Sequence, residues 1–405
     1  MEKNTTVSQH APQPASAGDG PLTGVNVAIW PNLSVRGWPA GAGSVALEGF
    51  VALEDAAAVE GLRAAGASIV GSVGMSELGL GLVGDEAASA LADGRCDAVL
   101  VTDTMGEARC AAAAAGAVGF KPSHGIVSRF GLIGLVPSME CLAVAAGSVK
   151  LASAVMGACS GPDERDFSML AEGIPDFTEV GAETGGAVSV GLIREALAGL
   201  TREEADALRA GLSQVEKTGA NVREVSMPEF ELFRTVHNVV GSAEASSAAG
   251  KYDSVRYGHR AGQGENWNEM YLNSRSESFG TLVKSYLFQG AHFQFNDFEA
   301  FQNACRIRGR LVRQTQGLLG EVDLLVLPTR RLGLDAAAAG TVLQVYDAFA
   351  MTLPANVAGL PAVSLPGLVM CGETDLGLQI VGPHLGDVRV LSLAARLAGS
   401  AGGGR

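Results

Sequence analysis

Within Leu100–Arg109 (LVTDTMGEAR) three ionisable side chains, Asp103, Glu107 and Arg109, crowd a turn between a buried apolar run and an alanine-rich one. Glu107 opens the second run. If that run is a helix, its first N–H groups have no partner and its dipole is positive there, so a carboxylate is favoured. Two readings stand side by side: Glu107 caps the helix, or it does new chemistry with Thr102, Thr104 or Arg109 around it. Other chemistries find less support. His124, His237, His259 and His292 lack any metal-ligand spacing and read as ordinary polar contacts. The 6 cysteines are dispersed without a CxxC pair, which argues against structural zinc and a disulfide framework. Neither a metal nor another cofactor is expected.

The turn is one of several places where a strand pattern passes into a helical one. Val25–Trp30 reads as a strand, Leu53–Ala65 as a helix stopped at Gly66, and Ser68–Gly71 as the next strand. Asp85–Ala92 (helix), Asp97–Val101 (strand) and Glu107–Ala115 (helix) follow. In the second half Val188–Leu192, Asp323–Leu327 and Leu376–Val381 read as strands. Thr201–Lys217 is a helix opened by a capping box of Thr201 and Glu204. Asp297–Leu319 is a long helix with Arg306, Arg308, Arg310 and Arg313 on its flanks, a solvated face or an anion or partner contact, and Val388–Leu397 closes the chain. The alternation predicts an α/β fold with a large mixed sheet covered on both faces. Residues 1–23 read as a disordered leader, 24–400 as a single domain and 401–405 as a flexible tail.

Composition sets outer limits. The chain has 405 residues, 47% of them hydrophobic and 18% charged, as expected of a globular protein with a sizeable core. A net charge of −14 argues against a nucleic-acid surface, which needs clustered Lys and Arg. No apolar run is long enough to span a membrane, and a cytoplasmic location is the default.

Leu100–Pro122 resembles the most recognisable part of the amidase signature family, G-[ST]-D-x-G-G-S-[IL]-R followed by C-G-x-x-G-x-K-P. Asp103, Gly106, Arg109, Gly116, Gly119, Lys121 and Pro122 match without a gap. HGIVSRFGLIGLVPSME (124–140) and SGPDERD (160–166) resemble the family's next blocks. AEASSAAGKYDSVRYGHR (243–260), DLLVLPT (323–329), LPANVAGLPAVSLP (353–366) and DLGLQIVGP (375–383) narrow the resemblance to A subunits of glutamyl-tRNA amidotransferase. The expected fold is therefore the amidase signature fold, a large twisted mixed sheet between helices.

The resemblance also implies a site. Family members cleave an amide with a Ser nucleophile, a bridging cis-Ser and a Lys base. At the aligned positions this chain has Glu107, Val83 and Trp30. Val83 carries no proton to relay and Trp30 no basic nitrogen. Met105 replaces a glycine beside the former oxyanion hole, a region that comprises Thr102, Asp103, Thr104, Met105, Gly106 and Arg109, with Asp103 and Arg109 bracing the turn. Tyr252, Tyr286 and Asp347 mark the former substrate pocket. If the helix at Glu107 keeps its orientation, its carboxylate points into the oxyanion hole and accepts the backbone N–H groups there. Two functional expectations follow: a catalytically degenerate pseudoamidase serving as a non-catalytic or regulatory subunit, or an amidase- or amidotransferase-type enzyme with altered chemistry centred on Glu107. Either implies a partner that is another protein subunit, whether a paralogous amidase or a small wrapping chain, with no direct nucleic-acid contact and no membrane.

Overall fold

The computed structural model describes residues 8, 20–82, 86–171, 173–182, 187–256, 258–262 and 264–401. The first half holds β1 (Asn26–Ile29), α1 (Ala57–Ala64), β2 (Ser68–Ser72), α2 (Glu86–Ala92), β3 (Ala98–Asp103), α3 (Glu107–Ala114), β4 (Val118–Lys121), β5 (Cys141–Ala146) and α4 (Val149–Cys159). Next come β6 (Ser189–Ile193), α5 (Arg202–Lys217), β7 (Asn221–Val225) and a run of helices, α6 (Leu232–Ala248), α7 (Trp267–Ser278), α8 (Thr281–Phe295) and α9 (Phe298–Glu321). The chain returns to the sheet as β8 (Leu324–Pro328), α10 (Val342–Phe349), α11 (Leu353–Val357) and β9 (Ala362–Leu365). A small hairpin, β10 (Met370–Cys371) and β11 (Thr374–Asp375), precedes β12 (Leu378–Val381) and α12 (Asp387–Ala401).

Ten strands form one mixed sheet in the order β2-β1-β3-β5-β4-β9-β12-β8-β6-β7. Its two flanks are parallel, β2-β1-β3 and β8-β6-β7, whereas every pairing between β3 and β8 is antiparallel. Strand side chains alternate between two cores, as a period of two requires. Val27 and Ile29, with Ala98 and Leu100, face a core closed by α1, α4, α5 and α12. Ala28 and Trp30, with Val99 and Val101, face one closed by α2, α3, α6, α8 and α9. Because both faces are covered, these strands read in the sequence as unbroken apolar runs.

Some boundaries differ from the sequence reading. The helix expected from Leu53 starts at Ala57: Ala56 is extended, with φ −66° and ψ 149°, and its N–H donates to Ser34 O at 2.8 Å, which holds the preceding segment against another part of the chain. Arg308 is not a solvated flank of α9; it donates to Ser138 Oγ and O and to Val357 O at 2.7, 2.8 and 3.0 Å, tying α9 to the end of α11. Within the stretch read as a leader, Leu22 is buried and its N–H donates to Ala65 O at 2.9 Å, while Ser8 bridges to Ser72. The other residues of that stretch before Gly20 lie outside the described residues, as do residues 402–405 of the expected tail.

Candidate active site

The site grows from the end of β3. Asp103 is its last residue, the chain turns through Thr104, Met105 and Gly106, and α3 begins at Glu107. Glu107 is completely buried, and its Oε2 accepts three successive backbone N–H groups, from Thr104 at 2.7 Å, Met105 at 2.8 Å and Gly106 at 3.1 Å. Its other oxygen, Oε1, is buried with no hydrogen-bond partner among the described residues. Burial, and secondarily the charge of Asp103, push the carboxyl up to about 8, against the N–H groups that favour its anion. The turn itself demands glycine: Gly106 has φ 132°, and a Cβ there would stand 2.1 Å from Thr352 Oγ1.

Each of the three peptide units that donate to Glu107 is gripped by its carbonyl as well. Asn356 Nδ2 donates to Asp103 O at 3.0 Å, His237 Nε2 to Thr104 O at 2.9 Å, and Thr352 Oγ1 to Met105 O. Carbonyl and N–H of a trans peptide point in opposite directions. Three side chains behind the turn therefore aim three N–H groups in front of it. His237 Nε2 must carry the proton to donate, so Nδ1 accepts from Tyr346 Oη at 2.8 Å, and Tyr346 accepts in turn from Tyr286 Oη at 2.9 Å. Burial pushes His237 down to about 4, consistent with a neutral ring.

Asp103 and Arg109 brace the turn from below. Arg109 donates from Nη2 to Asp103 Oδ1 at 2.8 Å and from Nε to Oδ2 at 3.1 Å, and both side chains are fully buried. Burial works against the Asp103 charge, yet the Arg109 ion pair and hydrogen bond hold the carboxyl below the usual range. Arg109 also reaches Thr352 O, Gln379 Oε1 and Asn356 Oδ1, so one guanidinium joins α3 to β12 and α11.

The other expected residues separate. Trp30 is buried on the same side of the sheet as Met105, and its Nε1 has no hydrogen-bond partner among the described residues. Thr102 Oγ1 accepts from Asn32 Nδ2 at 3.2 Å. Val83 lies outside the described residues. Of the three substrate-pocket residues only Tyr286 joins the site, through Tyr346. Tyr252 packs edge-on to Phe279, with ring centres 6.1 Å apart, and Asp347 pairs with Arg234 at 2.5 Å. The residues the sequence reading passed over are Tyr346, Thr352, Asn356 and Gln379, while His237 was read as an ordinary polar contact with no part in the site. Asn356 sits in the LPANVAGLP run, where it had no role, and His237 is an isolated His in an apolar helix. Among the described residues no group of three His, Cys, Asp or Glu side chains is placed to hold a metal, and no helix is long and apolar enough to cross a membrane.

Chemically, this is a site of three aimed N–H donors and a fully buried acid group whose carboxyl is raised to about 8. Such donors stabilise negative charge on a carbonyl oxygen, and such an acid exchanges protons at working pH. A ten-stranded mixed sheet with that turn at the end of β3 is the architecture of an amidase. The chain belongs to the Amidase family, whose model matches residues 4–87 and 86–391. The A subunit of glutamyl-tRNA(Gln) amidotransferase from Haloarcula marismortui is 33% identical, over 94% of this chain and 96% of its own. The corresponding protein of Natronomonas pharaonis is 31% identical over 98% and 100%. A solved structure of an amidase, 26% identical, superposes with a TM-score of 0.75 over 94% of this chain and 85% of its own. The A-subunit structure from Thermotoga maritima, 24% identical, gives 0.77 over 96% and 85%. These relatives overturn the expectation of a degenerate, non-catalytic subunit: similarity at this level runs end to end to proteins named for an amidotransferase, an enzyme.

Proposed function

We propose that this chain is an amidase- or amidotransferase-type enzyme acting on an amide C–N bond, with altered chemistry centred on Glu107. The carrying observation is the split environment of that carboxyl, one oxygen on three aimed N–H groups and the other buried without a partner among the described residues. In this reading the substrate carbonyl oxygen replaces Oε2 on the three donors. The displaced carboxylate takes a proton from an attacking water and delivers it to the leaving nitrogen, so water stands in for the serine that the family places at position 107. Trp30, at the family's Lys position, is then an apolar neighbour of the site with no basic nitrogen, and Val83, at the cis-Ser position, is a residue type with no proton to relay. Asp103 and Arg109 keep the turn in shape.

We place the enzyme in the cytoplasm, assembled with another protein chain, either a paralogous amidase or a small wrapping subunit. The support is that its relatives are named as subunits. The net charge of −14 leaves nucleic-acid contact to that partner. The test is ammonia release from glutamine, asparagine and an aryl amide, by the protein as co-purified with its partner. Turnover reduced by about a hundredfold or more in Glu107→Gln supports the reading. Turnover indifferent to that change, or none on any of the three amides, overturns it.

A further inference from the structure

A cavity of about 300 Å³ opens on the flank of α3, between that helix and the loop that follows β8. Neither Glu107 nor any residue of the three-donor turn lines it. Its floor is apolar, made by Leu82, Ala111, Ala114, Leu334 and Ala348, and its charged lining residues are Arg330, Arg331 and Asp335. The two arginines differ in their commitments. Arg331 donates to Gly199 O and approaches Glu204 at 3.6 Å. Arg330 has no ion-pair partner among the described residues, and its Nε is buried without a hydrogen bond there. The nearby carboxylates accept backbone N–H groups and make no ion pair with Arg330, although burial, which raises the Asp375 carboxyl, is opposed in part by the Arg330 charge, which lowers it. Asp375 accepts the Gly367 and Gly377 N–H groups at 2.6 and 2.8 Å, and Asp335 accepts the Ala337 N–H at 2.9 Å.

We propose that this cavity binds a short aliphatic monocarboxylate, with its carboxylate on Arg330 and its chain on the α3 alanines. The volume lies at the small end of ligand sites, fitting an acid of amino-acid size. A guanidinium fork matches a carboxylate, and the carboxylate that lines the cavity, Asp335, is turned to the Ala337 N–H and makes no ion pair with Arg330. The site is independent of Glu107 and stands whatever the amidase assay shows.

Isothermal titration with butyrate, butyramide and butylamine tests it, since the three share a chain and differ in charge. Saturable one-to-one binding of butyrate is expected, at least about tenfold tighter than butyramide, with butylamine excluded. Arg330→Gln should remove that advantage and Glu107→Gln should leave it. Arg330 holds no part of the described fold through an ion pair, and Ala114, exposed on α3, offers a second variant in which Ala114→Leu fills the cavity. Equal affinity for butyrate and butyramide overturns the proposal. So does no saturable binding, or butyrate binding that survives either Arg330→Gln or Ala114→Leu.

Discussion

Glu107 and His237 hold the two ends of one peptide unit: Met105 N–H points to Glu107 Oε2 at 2.8 Å, and Thr104 O receives His237 Nε2–H at 2.9 Å. The peptide cannot rotate without breaking both bonds. The direction of that donor is thus set by a histidine on α6, 133 residues away in the chain.

Replacing His237 by alanine should cost about 2–4 kcal/mol, because it strands the Thr104 carbonyl and the Tyr346 hydroxyl and leaves a cavity. Urea unfolding measures the loss. Amide exchange at Met105 should accelerate more than at core strand amides, which a purely global destabilisation would not produce.

Gly106→Ala meets two obstacles, a φ of 132° and a Cβ 2.1 Å from Thr352 Oγ1. The strain alone is of order 1–3 kcal/mol, and the clash adds to it. Adding Thr352→Gly, which removes the Cβ at 2.4 Å as well as Oγ1, should recover only the clash. A double variant as stable as Thr352→Gly alone would show that the backbone conformation costs nothing.

The pH dependence has a definite sign. Glu107 is raised from 4.5 to about 8 in the fold. Its contribution to stability is therefore complete below pH 4.5 and is lost as pH climbs through 8. His237, lowered from 6.5 to about 4, behaves oppositely: its contribution is complete above 6.5 and is lost as pH falls towards 4. Between pH 6.5 and 8, of these two, only Glu107 changes. Unfolding free energy should decline across that window in the wild type and flatten in Glu107→Gln. Parallel slopes would contradict the assignment.

Asp103→Asn leaves the Arg109 charge buried without its counterion, and a loss of about 3–5 kcal/mol is expected. Asp103→Leu combined with Arg109→Met should be milder than either change by itself, as measured by thermal unfolding.

What the sequence made legible was local. Glu107 at the head of an alanine-rich run, and the Thr201–Glu204 capping box, were readable because their partners lie within four residues. β5, with sequence CLAVAA, escaped notice: it is buried on both faces and shows no alternation, and small residues lower its apolar contrast. The clasp behind the turn escaped for a different reason. Thr352 and Asn356 reach Met105 and Asp103 across 247 and 253 residues, a distance at which no spacing rule operates. Tyr286 reads as a substrate-pocket residue in the sequence, whereas in the fold it anchors a histidine through Tyr346.

The antiparallel middle of the sheet also has a bearing on synthesis. β4 pairs with β9, so its second edge is covered only when β9 is present, with β12 and β8 beyond it, all after residue 323. A ribosome must therefore release more than three-quarters of the chain before the centre can close, and contacts of such long range make folding slow. The three-donor turn, which depends on Thr352 and Asn356, is assembled among the last features. Completion of the site around Glu107 is thereby coupled to completion of the polypeptide.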